Sequence, residues 1–177
     1  DPLYASVPAG SRRLRVNLAN GATAIDQTAT LVAGTNYTVI AAGTAGGTGT
    51  LAPAYILLTD DVSAPPANQI RIRAVHAASA VGNVDIYAGA PAAPFNFQRV
   101  FQNVAFRASG SAQVGAGAYT VCVVGAGVTP AADGSNCAIR ATTPALAAGT
   151  VVTAIARDAA QGAGQTPSLI LTVDRRP

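Results

Sequence analysis

Along most of this chain apolar side chains recur at every second position, and that period restricts it to a β architecture. Arg13-Leu14-Arg15-Val16-Asn17-Leu18 alternates cleanly, and Ile70-Arg71-Ile72-Arg73-Ala74-Val75 repeats the pattern. In an extended strand successive side chains point to opposite faces, so each segment carries one face for a core and one for water. The same reasoning predicts strands at 37–41, 54–58, 84–87, 100–106, 119–124, 151–156 and 169–173. Gly-Gly, Pro-Ala-Gly, Ala-Pro-Pro and Asp-Gly clusters separate them, which is hairpin turn chemistry. Alanine is abundant and favours helices in isolation. Here it sits among Thr, Val, Gly and Pro with no 3.6-residue period, so pattern outweighs propensity.

At 177 residues the chain has room for two small domains. Half of it is hydrophobic and only 11% is charged, against about 25% in an average soluble domain. Its surface is therefore built largely from Ala, Thr, Ser, Gly and Asn. Every basic residue is Arg and every acidic residue is Asp, a bias expected of a GC-rich bacterial genome. The net charge is +3, and Arg12, Arg13, Arg15, Arg71 and Arg73 cluster locally. No aromatic residues interleave with them, so the reading is arginine on the wet face of strands, with no nucleic-acid partner. No apolar run approaches the roughly 20 residues of a membrane helix. The chain starts at Asp1-Pro2 and contains no Met, which leads us to expect a removed leader and a secreted product.

The second organising feature is an internal repeat. Val7-Pro8-Ala9-Gly10 and the strand after it match Val114-Gly115-Ala116-Gly117 and its following strand. Leu31-Val32-Ala33-Gly34-Thr35 matches Leu146-Ala147-Ala148-Gly149-Thr150, and Pro53-Ala54-Tyr55-Ile56-Leu57 matches Pro167-Ser168-Leu169-Ile170-Leu171. Each copy closes near an aspartate, Asp60 or Asp174. These matches predict two tandem immunoglobulin-like antiparallel β-sandwich units: an incomplete repeat at 1–62, a Pro-rich linker at 63–69 and a complete repeat at 70–177. The first unit lacks about three N-terminal strands that the second possesses, judged at roughly a dozen residues per strand and turn. Three readings of the missing strands stand open: they are supplied by another chain, the two repeats share one sheet, or the chain is a product cut from a longer protein. With truncation or processing as the cause, an open sheet edge and uncovered core recruit other strands, so self-association with neighbouring subunits is the expected partnership.

Several segments carry a family resemblance. Arg71-Ile72-Arg73-Ala74-Val75-His76-Ala77-Ala78-Ser79, then Asn83-Val84-Asp85-Ile86-Tyr87, Gly117-Ala118-Tyr119-Thr120-Val121 and Leu146 to Thr150 follow in order. Leu31 to Val39 and Leu57-Leu58-Thr59-Asp60-Asp61 add two more motifs. Together they resemble a bacterial family of secreted repeats of unknown function, marked by R-V-V-H-A-S-P, V-D-V-Y, L-x-A-G-T-x-Y-T-V and L-L-T-D-D. The resemblance implies a β-sandwich at the cell surface or in the extracellular matrix, and no established chemistry. The proline expected after the His-Ala-Ser stretch is absent here, and an extra alanine intervenes. His76, Asp85, Tyr87, Asp60 and Asp61 are the family-motif residues, and all five are read as structural.

Chemistry is weakly represented. His76 is the sole histidine, placed by alternation at the core margin with Ile70 and Ile72. A triad would need a nucleophile and an orienting carboxylate beside it, and no G-x-S-x-G elbow is present. One His and two distant Cys do not make a zinc site, and Asp60-Asp61 lacks the dense ligand loop of a calcium site. No metal, cofactor or catalytic residue is expected, and the chain is not read as an enzyme. Cys122 and Cys137 form an even count in a chain expected to be secreted, which predicts a disulfide that staples the intervening loop. Phe95, Phe97 and Phe101 alternate, as a core face would. They are also the one aromatic group a surface-glycan site could use. The functional expectation is a structural or adhesive subunit of an extracellular filament, with a glycan- or surface-ligand-binding module as the alternative.

Overall fold

A computed structural model describes residues 4–159 and 166–176. The chain is all-β, and none of the described helices is long and apolar enough to cross a membrane. It divides into two compact units, the first ending at Asp61 and the second starting at Val62.

The second unit holds eight strands: β5 (Gln69–Ala77), β6 (Val84–Gly89), β7 (Gln98–Val104), β8 (Ser109–Gly115), β9 (Thr120–Gly125), β10 (Ile139–Thr142), β11 (Val151–Arg157) and β12 (Ser168–Arg175). They form two four-stranded sheets, ordered β12-β11-β5-β8 and β10-β9-β6-β7. All neighbours are antiparallel except β5 and β11, which run parallel with Arg73 opposite Thr153. The sandwich expectation holds, with this one parallel pair inside it. Alternation explains why the sheets face each other. Ala74, Ile86, Val121, Val123 and Ala156 point inward to one buried cluster, while Ile70, Val152 and Leu146 make a second. Each fully buried aliphatic side chain contributes about 1.5–3 kcal/mol of transfer free energy.

The first unit has four strands in two hairpins. β1 (Gly10–Asn17) pairs with β2 (Thr23–Leu31), and β3 (Tyr37–Ala42) pairs with β4 (Ala54–Thr59). The hairpins are tied to each other at Tyr55, whose backbone N–H donates to Gln27 Oε1 at 3.3 Å and whose hydroxyl donates to the Thr28 carbonyl at 3.0 Å.

Three strands carry too little signal to be expected from periodicity: β2, β8 and β10. In β8 the reason is spatial. Phe101 of β7 lies against Gly110, where an added Cβ would come within 2.9 Å of its ring, so no side chain fits at that position and only Val114 near the strand's end carries an apolar signal larger than alanine. β10 has only four residues, and β2 interrupts its apolar positions with Asp26 and Gln27.

Candidate functional site

The two units share a local construction. In the second, Thr153 on β11 pairs with Thr172 on β12, and its hydroxyl donates to Asp174 Oδ2 at 2.5 Å. In the first, Thr38 on β3 pairs with Leu58 on β4, and its hydroxyl donates to Asp60 Oδ2 at 2.9 Å. In both cases the aspartate stands two residues beyond the threonine's cross-strand partner. Both carboxylates are buried, at 9% and 7% exposure for Asp60 and Asp174. Asp60 is therefore a strand-end anchor, which Tyr4 also reaches with its hydroxyl at 2.9 Å. Asp61 follows it as the last residue of the unit, and both aspartates engage further groups.

The units differ in what lies beside these hairpins. β11 has β5 as its second neighbour and β9 has β6, whereas β3 and β1 each pair with one strand among the described residues. Exposure follows from this. Val123 on β9 is 2% exposed and Ala154 on β11 is 4%, while Val16 on β1 is 37% exposed and Val39 on β3 is 47%. Among the described residues β1 and β3 thus combine a partly exposed valine with an edge at which no strand pairs.

Arginine placement needs one correction. Arg73 was expected on a wet strand face, but it is 8% exposed. Its Nε donates to Thr153 Oγ1 at 2.9 Å and its guanidinium lies 3.6 Å from Asp174 Oδ2. Burial of arginine needs such partners, and alternation alone cannot reveal a carboxylate delivered by a strand about 100 residues later. Arg13 does sit on an exposed strand surface, ion-paired with Asp26 across the first hairpin.

The remaining motif residues, His76, Asp85 and Tyr87, lie in the second unit. His76 is fully buried: its Nδ1 accepts from the Ala78 N–H at 3.4 Å, which leaves Nε2 to donate to the Gly82 carbonyl at 2.9 Å. Ser79 is turned away to Asp158, which accepts its hydroxyl and its backbone N–H, both at 2.7 Å, and the Ala80 N–H at 2.9 Å. Burial pushes the Asp158 carboxyl up, yet these bonds together hold it below the usual carboxylate range. Asp158 thus clasps the loop that follows β5 at Ser79 and Ala80. Asp158 and its role were missed because its partners lie 79 residues upstream.

Asp85 is a second hub. It is fully buried and accepts from the Asn103 N–H at 2.7 Å and the Gly127 N–H at 3.2 Å, with Arg99 at 3.6 Å. The Asn103 bond foremost, outweighing the cost of burial, holds this carboxyl below its ordinary range. Asp85 thereby fixes an irregular stretch of β7, where Asn103 has a positive φ of 50°, to the turn after β9. Tyr87 packs beside it with Cys122 and Val124 on the outer face of the same sheet.

The predicted disulfide is present between Cys122 and Cys137, with Cα atoms 5.3 Å apart. Cys122 is buried beneath the loop it tethers, and Phe97 covers the same patch. Phe95 stacks on Phe97 at 5.0 Å, while Phe101 turns into the core between the sheets. The three rings therefore do not share one exposed surface. Among the described residues no group of three or more His, Cys, Asp or Glu could hold a metal ion.

No curated protein matches this chain. The model of a domain of unknown function (DUF4397) matches residues 3–87, a span that contains the whole first unit's strands and continues through β5 into β6, in keeping with the resemblance to an uncharacterised family.

Proposed function

We propose that this chain is a secreted structural or adhesive subunit that associates through strand complementation of its first unit, at the cell surface or in an extracellular matrix. One observation carries the reading: the first unit has two hairpins that correspond in chain order to β9-β10 and β11-β12, and among the described residues no strand pairs with the second edge of β1 or β3 as β6 and β5 pair with β9 and β11. The motif matches across the two halves of the sequence support the same equivalence. On that equivalence four strands, β5 to β8, lack counterparts, one more than sequence spacing suggested.

A half-sandwich in water keeps apolar surface exposed at about 25 cal/mol per Å², and a neighbour that supplies strands recovers it together with edge hydrogen bonds. A head-to-tail contact of this kind that does not close generates a filament. The low charge of the surface offers little repulsion against such contacts.

Negative-stain microscopy and native mass measurement of the full chain test this. Filaments or detergent-resistant oligomers are the expected result. A monodisperse monomer whose β1 and β3 amides exchange as slowly as those of β9 and β11 would overturn it.

A further inference from the structure

Strands β5, β9 and β11 finish at the end of the second unit where β6, β10 and β12 begin. Further in, the space between the sheets is filled by large side chains such as Ile86 and Phe101. At this end smaller ones take their place. Ala156 stands near the end of β11, and Ala78 and Gly82 lie in the loop after β5. The result is a chamber of about 160 Å³ at the end of the inter-sheet core. His76, Val84, Val123, Ile139 and Ala156 line it, none of them more than 4% exposed, and its lining reaches the surface at Gly82 and Asn83.

The chemistry of the walls selects the occupant. His76 is their one ionisable side chain, and both ring nitrogens are engaged, Nε2 with the Gly82 carbonyl at 2.9 Å and Nδ1 with the Ala78 N–H at 3.4 Å. Asn83, at the surface, gives its amide N–H to Asn103 Oδ1 at 2.8 Å. A water held in a cavity needs about two to four polar partners, and these side chains do not supply them. Packed interiors leave few voids larger than one water, so an empty chamber of this size forfeits contacts along every wall. An apolar occupant restores them.

We propose that this chamber binds a small uncharged apolar molecule with about the bulk of a benzene ring. An apolar cavity of about 150 Å³ stays dry when empty and accepts benzene. Charged molecules are excluded, because nothing in the walls offsets the loss of their hydration. Entry is at Gly82, where an added Cβ would meet nothing within 4 Å. The hold of Asp158 on Ser79 and Ala80 fixes the loop that carries this glycine. The chamber lies wholly inside the second unit, so the proposal is independent of strand complementation.

The test is a titration of the full chain with benzene, read by methyl NMR. Saturable shifts are expected at Val84, Val123 and Ile139, while benzoate, the same ring with a charge, should leave these methyls unmoved. Ala156→Val adds two methyl groups to the chamber wall and should weaken benzene binding by about tenfold or more, since overfilling a packed site is unfavourable. If that variant fails to fold, xenon on the unaltered chain decides: a bound xenon resonance that benzene displaces is expected, and its absence overturns the proposal. Benzene shifts confined to exposed valines such as Val16 and Val39 would show surface adsorption in place of a site. Equal response to benzoate, or undiminished benzene affinity in a folded Ala156→Val protein, would overturn it as well.

Discussion

Val123 and Val16 occupy comparable positions in hairpins of the same kind, yet the first is sealed and the second is more than one-third exposed. The residue type is the same at these two positions, although the strands differ around them: β1 alternates apolar residues with arginine, while β9 is apolar on both faces. The company each hairpin keeps differs as well. β9 has strands on both sides and a sheet across from it; β1 has one partner strand. A β-hairpin alone is marginally stable, and a two-stranded sheet acquires stability only by packing. The same residue type is therefore sealed where its strand has two neighbours and partly exposed where it has one.

Hydrogen exchange offers the largest contrast. If the first unit is half a sandwich, amides of β1 and β3 in the monomer should exchange roughly a thousandfold faster than those of β9 and β11, since local opening free energies range from near zero to the global value. Assembly should erase that gap. Next in size is the disulfide. Replacing Cys122 and Cys137 by Ser should destabilise the second unit by about 3 kcal/mol, from a closed loop of 15 residues, and leave exchange in the first unit unchanged. Smaller still is a matched pair of truncations. Val123→Ala should cost about 2 kcal/mol by denaturant unfolding, and Val16→Ala less than about 0.5 kcal/mol in the monomer. In the assembled state the Val16→Ala cost should rise toward that of Val123→Ala; an unchanged cost would mean that no partner covers β1.

Much of this was legible in the sequence, and the boundary of legibility is physical. Period-2 alternation exposed the strands whose faces are sorted by water, such as β1 and β5. It failed at β8, where Phe101 leaves no room for a side chain at Gly110, and at β10, too short to show a period. The disulfide followed from cysteine count alone. The polar clusters did not follow, because each joins residues that are distant in sequence: Arg73 with Asp174, Ser79 with Asp158, Asp85 with Gly127. A solvated arginine and a buried one look identical in a strand pattern until the strand carrying the carboxylate is placed beside it.

Asp85 gives the finest discrimination, because its cluster exists only where β6, β7 and the turn after β9 are all present. Its carboxyl is held low in the folded state, chiefly by the Asn103 N–H, against about 3.9 when unfolded. A depressed folded value means that the unfolded chain takes up the proton first. The contribution of Asp85 is thus full above the unfolded value and lost as pH falls through the folded one. Unfolding of the second unit should accordingly become easier as the pH drops below about 4, and Asp85→Asn should flatten that dependence while lowering stability at neutral pH by about 1–3 kcal/mol, since an amide has one acceptor oxygen and would turn its NH2 group toward the other N–H. Asp85 and the groups it gathers all belong to the second unit, so exchange rates in the first, corrected for intrinsic chemistry, should not follow the substitution. Were acid to loosen both units equally, and Asp85→Asn to flatten both, the two would be unfolding as one cooperative body, and the contrast between a finished and an unfinished sandwich would have to be abandoned.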